Sequence, residues 1–376
     1  MKKGALILLI ILCAAAGAIS CARAETQGYG LVNNTEVALR KSPGGQKLIR
    51  LQKDTCVWIK DTKTDGQGNL WYEVNAGYND EGRYRNRTGW IKAEFVDAGD
   101  RLWHGVRSVA ADTYGLMALR QDGTAECVCD QDNTELRKWA AGLRNIRQVS
   151  LSWLGWGYYA LDGDGTVFGS DGNREKGVRL ICDYGYPYSI TEDNRLLTGG
   201  TQQFTWVYPR EVGSEQLARV TAMTNSQYRL LLLTDEGRVY AACSEGDPVY
   251  FPEPDWEQWT DAAGIDAGII SFSGGRPYSF AFAAVRRDGT VLAAPDELAA
   301  MIGDWQGMKK IRIGYKWVLG LKEDGTAIAA GPAGSGVPDV SGWSGIRDIG
   351  NGGDYLVGVK EDGSLVFAEE HVFLSD

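Results

Sequence analysis

The 376-residue sequence predicts an all-β fold: a small barrel over residues 27–97, then seven repeated hairpin units over residues 100–376. Three observations predict it. First, apolar strands flank a short charged turn, as in "VGVKEDGSLVFA" at 357–368 and "LGLKEDGTAIAA" at 319–330. Strand, Asp-Gly, strand is a hairpin, because this dipeptide suits a turn with positive φ. Second, the turn recurs at Asp122-Gly123, Asp164-Gly165, Asp193-Asn194, Glu236-Gly237, Asp288-Gly289, Asp324-Gly325 and Asp362-Gly363. The steps run from 29 to 52 residues, with a mean of 40. Third, 49 glycines and 13 tryptophans suit many tight turns between packed strands.

The first 24 residues read as a targeting segment. Lys2 and Lys3 precede an apolar run, and Ala22-Arg23-Ala24 fits a cleavage site before Glu25. The expectation is export as a secreted or cell-envelope protein. A second reading takes Ala18-Ile19-Ser20-Cys21 as a lipoprotein box with lipid on Cys21. The apolar run is short for a bilayer span. Loss of Lys2, Lys3 and Arg23 would move the formal charge from −10 to −13. A chain this acidic is a poor partner for nucleic acid, whose phosphates need cations. A monomer is expected.

Residues 27–97 form the first module. Its landmarks are Ala38-Leu39-Arg40, Pro43, Leu48, Leu51, Trp71, Val74, Thr88, Gly89, Trp90 and Ile91. This pattern resembles a bacterial SH3 domain. The resemblance implies a small SH3-like barrel that binds cell-wall peptides or other extended ligands, with Trp71 and Trp90 as candidate contacts. Residues 75–87 form a longer polar loop than that family usually carries.

The repeats occupy the rest. Each turn has an alternating strand before it, such as Trp317, Leu319 and Leu321, and a short apolar run after it. An upstream strand sits at fixed register: from Val109 to Asp122, Ile311 to Asp324 and Ile349 to Asp362 the offset is 13. Trp305 and Trp343 hold matching positions ahead of their units, where they would pack between neighbours. Three or four strands in about 40 residues make a propeller blade, and seven such units would close a ring. "VRSVAADTYGLMALRQDGTAECV" and "IRDIGNGGDYLVGVKEDGSLVFA" resemble repeats of the regulator-of-chromosome-condensation (RCC1-like) type. The usual histidine of that repeat is replaced by Gly115, Trp317 and Tyr355, so its role does not carry over. Nucleotide exchange on a small GTPase does not suit an exported chain.

Little in the sequence suggests catalysis. Two histidines, His104 and His371, give no support to a Ser-His or Cys-His pair. Cys56, Cys127, Cys129, Cys182 and Cys243 are irregularly spaced and read as small buried fillers. "DGDGTVFGSDGN" at 162–173 falls on a hairpin turn and lacks the distal glutamate of a calcium loop. No cofactor or metal is expected.

The segments between upstream strand and hairpin would share one face of a ring. They carry Tyr114, then Trp153, Trp156 and Tyr158, then Tyr184 and Tyr186, Tyr228, Tyr278, Tyr315 and Trp317, and Tyr355. Aromatics with polar tips suit sugars or protein hot spots. Lys316, Asp112 and Asp354 would add polar contacts. The leading expectation is therefore a non-catalytic binding protein. Its SH3-like module would tether it to wall or envelope, and its propeller face would hold a protein or glycan. An alternative is a secreted protein inhibitor or regulator of an enzyme, as in a bacterial β-lactamase inhibitor resembling this propeller class. A glycan-active enzyme with a carboxylate pair is the third reading.

Overall fold

The computed structural model describes residues 27–80, 83–129, 134–151, 157–183, 188–198, 206–207, 212–226, 229–244, 254–272 and 279–369. The chain is all-β apart from short helices. The first module is one antiparallel sheet built from β1 (Gly28–Val32), β2 (Val37–Arg40), β3 (Lys47–Leu51), β4 (Cys56–Thr64), β5 (Leu70–Asp80), β6 (Arg83–Lys92) and β7 (Val96–Asp97). Its order is β3-β2-β6-β5-β4-β1-β7, so among the described residues the pairing runs open from β3 to β7. One face gathers Val37, Leu39, Ile59, Val74 and Ile91 into its own core.

Seven further sheets follow among the described residues, here numbered I to VII. Sheet I joins Val106–Asp112, Gly115–Arg120 and Ala125–Cys129. Sheet VI joins Met308–Ile313, Val318–Lys322 and Ala327–Ala330, and sheet VII joins Ile346–Asn351, Tyr355–Lys360 and Leu365–Glu369. The first strands of II to V are Ile146–Leu151, Val178–Ile181, Val220–Ser226 and Ala262–Ile270. In each sheet the first strand pairs with the second and the second with the third, the expected hairpin meander. First strands of successive sheets pack side by side, and the first strand of VII packs on that of I, so the arrangement is propeller-like.

One joint repeats between units. The carbonyl of the turn glycine accepts the first amide of the next unit: Gly123 from Ile146, Gly165 from Val178, Gly237 from Ala262, Gly289 from Met308, and Gly325 from Ile346. The same bond links sheet VII to sheet I, from Val106 N to Gly363 O at 3.0 Å. Each of these glycines has positive φ, as the turn requires. An arginine staple reinforces four junctions. Arg107 donates to the carbonyl of Arg147, Arg147 to that of Arg179, Arg179 to that of Val220, and Arg347 to that of Val106. Each arginine is the second residue of its strand, where the register slips by one residue and the side chain turns toward the next sheet.

The first module shares a core with the ring. Tyr29, Leu31, Cys56 and Trp58 pack with Trp103, Val106, Tyr355 and Phe367. Tyr29 meets Trp58 edge-on at 4.9 Å and Tyr355 at 5.3 Å between ring centroids. β4 therefore buries both faces: Val57 and Ile59 toward the module, Cys56 and Trp58 toward the ring. Cys56, Cys127 and Cys182 are buried. Burial pushes the Cys127 thiol well up, which keeps it inert at neutral pH.

Candidate functional site

The rim opposite the Asp-Gly turns carries the links between first and second strands. Three of these links are described in full and meet at Gly353. A methyl added there would lie 2.8 Å from Thr113 Oγ1 of sheet I and 3.7 Å from Tyr315 Cβ of sheet VI. The links are stiffened by their own polar groups. Asp112 accepts from the amides of Tyr114 and Gly115 at 2.9 and 2.8 Å. Asn351 accepts from Gly353 N at 2.9 Å and donates to Trp317 O at 2.8 Å. Lys316 pairs with Asp354 across sheets VI and VII at 2.6 Å and lies 5.5 Å over the Trp317 ring. Tyr315 projects beside this pair with 38% of its surface exposed. Tyr114 is half-buried on the neighbouring link.

The other expected contacts divide into three groups. Trp153, Trp156, Tyr184, Tyr186, Tyr228 and Tyr278 lie outside the described residues. Tyr158, Trp317 and Tyr355 are buried, so the expectation that they face a ligand is corrected to a packing role. The physical reason is strand phase. Trp317 alternates in step with Leu319 and Leu321 and joins their core against sheet VII, with its indole N–H donating to Ser335 O at 2.9 Å. Tyr355 fills the seam with the first module and donates its hydroxyl to Gly115 O at 2.7 Å. Trp71 is also buried and donates to Asp65 at 2.8 Å. That bond and the amide of Asn69 hold the Asp65 carboxyl well below the usual carboxylate range, Asn69 contributing most. Trp90 is half-exposed, with Glu73 and Arg40 as its cross-strand neighbours.

Sequence reasoning missed the charged brace along the axis. Arg312 of sheet VI reaches Asp266 of sheet V at 2.8 Å and Asp183, beyond sheet III, at 3.2 Å. Asp266 also accepts Ile313 N at 2.6 Å, and Gln148 donates to Asp183 at 2.9 Å. Burial raises the Asp266 carboxyl against the pull of Arg312. Burial would lower Arg312, but Asp266 and Asp183 together raise it, so it stays a cation. Part of the signal was available: Asp266 and Arg312 each stand four residues into their unit's first strand, and Asp266 interrupts an otherwise apolar run. The cavity beside them measures about 30 Å³. That admits one or two waters and no organic ligand, so the axis is a brace and the rim is the candidate site.

The fold thus defines an all-β, propeller-like scaffold with a stiff, partly aromatic rim. No known family profile matches the chain, and no curated protein matches it. Among solved structures it is similar to the β-propeller domain of Cps50 (Swd1) from Myceliophteria thermophila, at 14% identity over 71% of this chain and 97% of that one, with a TM-score of 0.43. It is similar to BamB from Moraxella catarrhalis at 13% identity, covering 93% and 99% of the two chains, with a TM-score of 0.37. Yeast RCC1 (Prp20), solved with Kap60, matches at 13% identity over 70% and 69%, with a TM-score of 0.33.

Proposed function

We propose that this chain is an exported, non-catalytic binding protein. In this reading the seven sheets are blades of a closed RCC1-like propeller, the first module is SH3-like and tethers to wall or envelope, and the rim holds an extracellular protein or glycan. The observation that carries the reading is exposed Tyr315 beside the Lys316–Asp354 pair, on a rim fixed by side chains from three sheets. An aromatic with a polar tip on a rigid support loses little entropy when it binds. Half-exposed Trp90 is the matching candidate on the module.

The test is co-sedimentation of residues 25–376 with purified cell-wall sacculi, alongside Trp90→Ala and Tyr315→Ala. The expected result is that the parent chain pellets and Trp90→Ala stays in solution. Loss with Tyr315→Ala instead would make the rim the wall-binding surface. If the parent chain does not pellet, wall tethering is wrong and a folded-protein target, as for an inhibitor, takes its place.

A further inference from the structure

The outer strand of each sheet is a row of backbone donors and acceptors that must be paired, covered or blunted. Five of the seven are covered. Sheet I's is packed by helix α1 (Thr134–Ala141), and sheet V's by the short helix that follows it. Sheets II and IV carry fourth strands, Arg174–Glu175 and Trp206–Val207. Sheet VII's outer strand lies under β1 of the first module. Sheet III's strand is followed by residues outside the described set. Sheet VI differs: the chain after Ala327–Ala330 is described up to Glu369, and among the described residues no strand or helix lies along that edge.

The parity of this edge follows from its hairpin. Lys322 N donates to Thr326 O at 2.9 Å, so that pair is hydrogen-bonded. Alternation along the ladder then bonds Ile328 to Gly320 and Ala330 to Val318. The amides and carbonyls of Ala327 and Ala329 point outward, and among the described residues nothing pairs with them. Side chains do not guard the edge. Ala327 and Ala329 pack toward sheet VII, Ile328 and Ala330 toward sheet V, and the strand has no lysine, proline or acid. Its two ends are chemically different. At one end Val337 is 40% exposed, with its Cγ2 3.0 Å from where a methyl on Gly331 would sit. At the other stand exposed Glu323 and Asp324.

We infer that the edge of sheet VI is a strand-addition site for an extended peptide segment of another protein, apolar at one end and basic at the other. Main-chain bonds to Ala327 and Ala329 supply affinity, as in other β-augmented complexes. Val337 reads the apolar end, and Glu323 with Asp324 the basic end. Four residues span about 13 Å, so the two features lie about four to six residues apart in the ligand. A second copy of this chain fits less well, because pairing two four-residue edges falls far short of the roughly 1,000 Å² a stable interface needs. This site is separate from the Tyr315 rim and stands without it.

The test titrates residues 25–376 with the peptide Val-Thr-Val-Thr-Val-Lys-Lys and with its reverse, since an added strand can run either way. One orientation should bind, with hydrogen-exchange protection of the Ala327 and Ala329 amides. Ala329→Pro, which removes one outward amide and leaves the ladder intact, should weaken binding about tenfold at unchanged melting temperature. The same peptide N-methylated at alternate residues should not bind, a result that does not depend on any variant folding. Binding of neither orientation, or binding without protection at these amides, overturns the site. So does a parent chain that sediments as a dimer and is dissociated by Ala329→Pro.

Discussion

Gly363 shows how much one residue can carry. Its φ of 85° belongs to the region that side chains avoid, and a methyl there would sit 2.8 Å from Gly105 Cα and 2.9 Å from Val106 N. Gly325 has the same φ requirement, but its nearest contact, Ile346 N, would be 3.4 Å away. Backbone strain alone costs about 1–2 kcal/mol for alanine at either position. Gly363→Ala should therefore lower the melting temperature more than Gly325→Ala. Equal losses would mean that the joint does not depend on close approach. Trp317→Ala should cost about 3–5 kcal/mol, because it empties a fully buried site. An unchanged melting temperature would return Trp317 to the rim. Its burial was half legible in the sequence, which put it in phase with Leu319 and Leu321. Its position in the slot of the missing histidine pointed the other way.

At the scale of elements, the hairpins read clearly because their chemistry is local. Asp-Gly fixes the turn, and even Asp193-Asn194 works, since Asn194 takes φ of 59°. The acid of each turn is also held. The hydroxyl and then the amide of Thr124, Thr290, Thr326 and Ser364 keep the carboxyls of Asp122, Asp288, Asp324 and Asp362 below the usual carboxylate range. A carboxyl with a depressed folded pKa stabilises the fold above its unfolded value of about 3.9. That contribution is lost as pH falls through the lower folded value. The melting temperature should drop as pH goes below about 4, and less steeply when all four acids are replaced by asparagine. Parallel acid limbs for the two proteins would show that these turns do not drive acid unfolding. The residue before the first strand was only partly legible. Gly105, Asn145, Gly177, Asp261, Gly307 and Gly345, ahead of six of the seven first strands, all have positive φ, and four of them follow a tryptophan by two positions, Trp103, Trp259, Trp305 and Trp343, whereas Asn145 and Gly177 carry no such signal. What selects them is the turn of an adjoining unit.

Across the whole molecule, the sequence separates two modules and the structure joins them. Tyr29 and Tyr355 belong to different patterns, yet their rings meet edge-on in one core. The clue was the buried run Cys56–Ile59, which breaks the alternation expected of a strand with one wet face. A protein starting at residue 99 should melt lower than the intact chain and bind a hydrophobic dye, because Tyr355 and Phe367 lose their cover. The intact chain should melt in one calorimetric transition. Two resolved transitions would show that the shared core is energetically minor. The long arm of the axial brace, from Arg312 to Asp183, was equally hidden, since the two lie 129 residues apart in sequence.

The bond between Val106 and Gly363 sets an order on the life of the chain. A ribosome delivers Val106 first and must add more than 250 further residues before the partner exists. Until then each unit can join only the one before it, and the growing protein is an open arc with a raw edge at both ends. Long-range closure of this kind is slow, and the unpaired ends are exposed meanwhile. A stop codon just before Asp362 would remove few residues and yet leave the arc without its clasp. The last hairpin is thus the point at which a synthesised chain becomes a stable object.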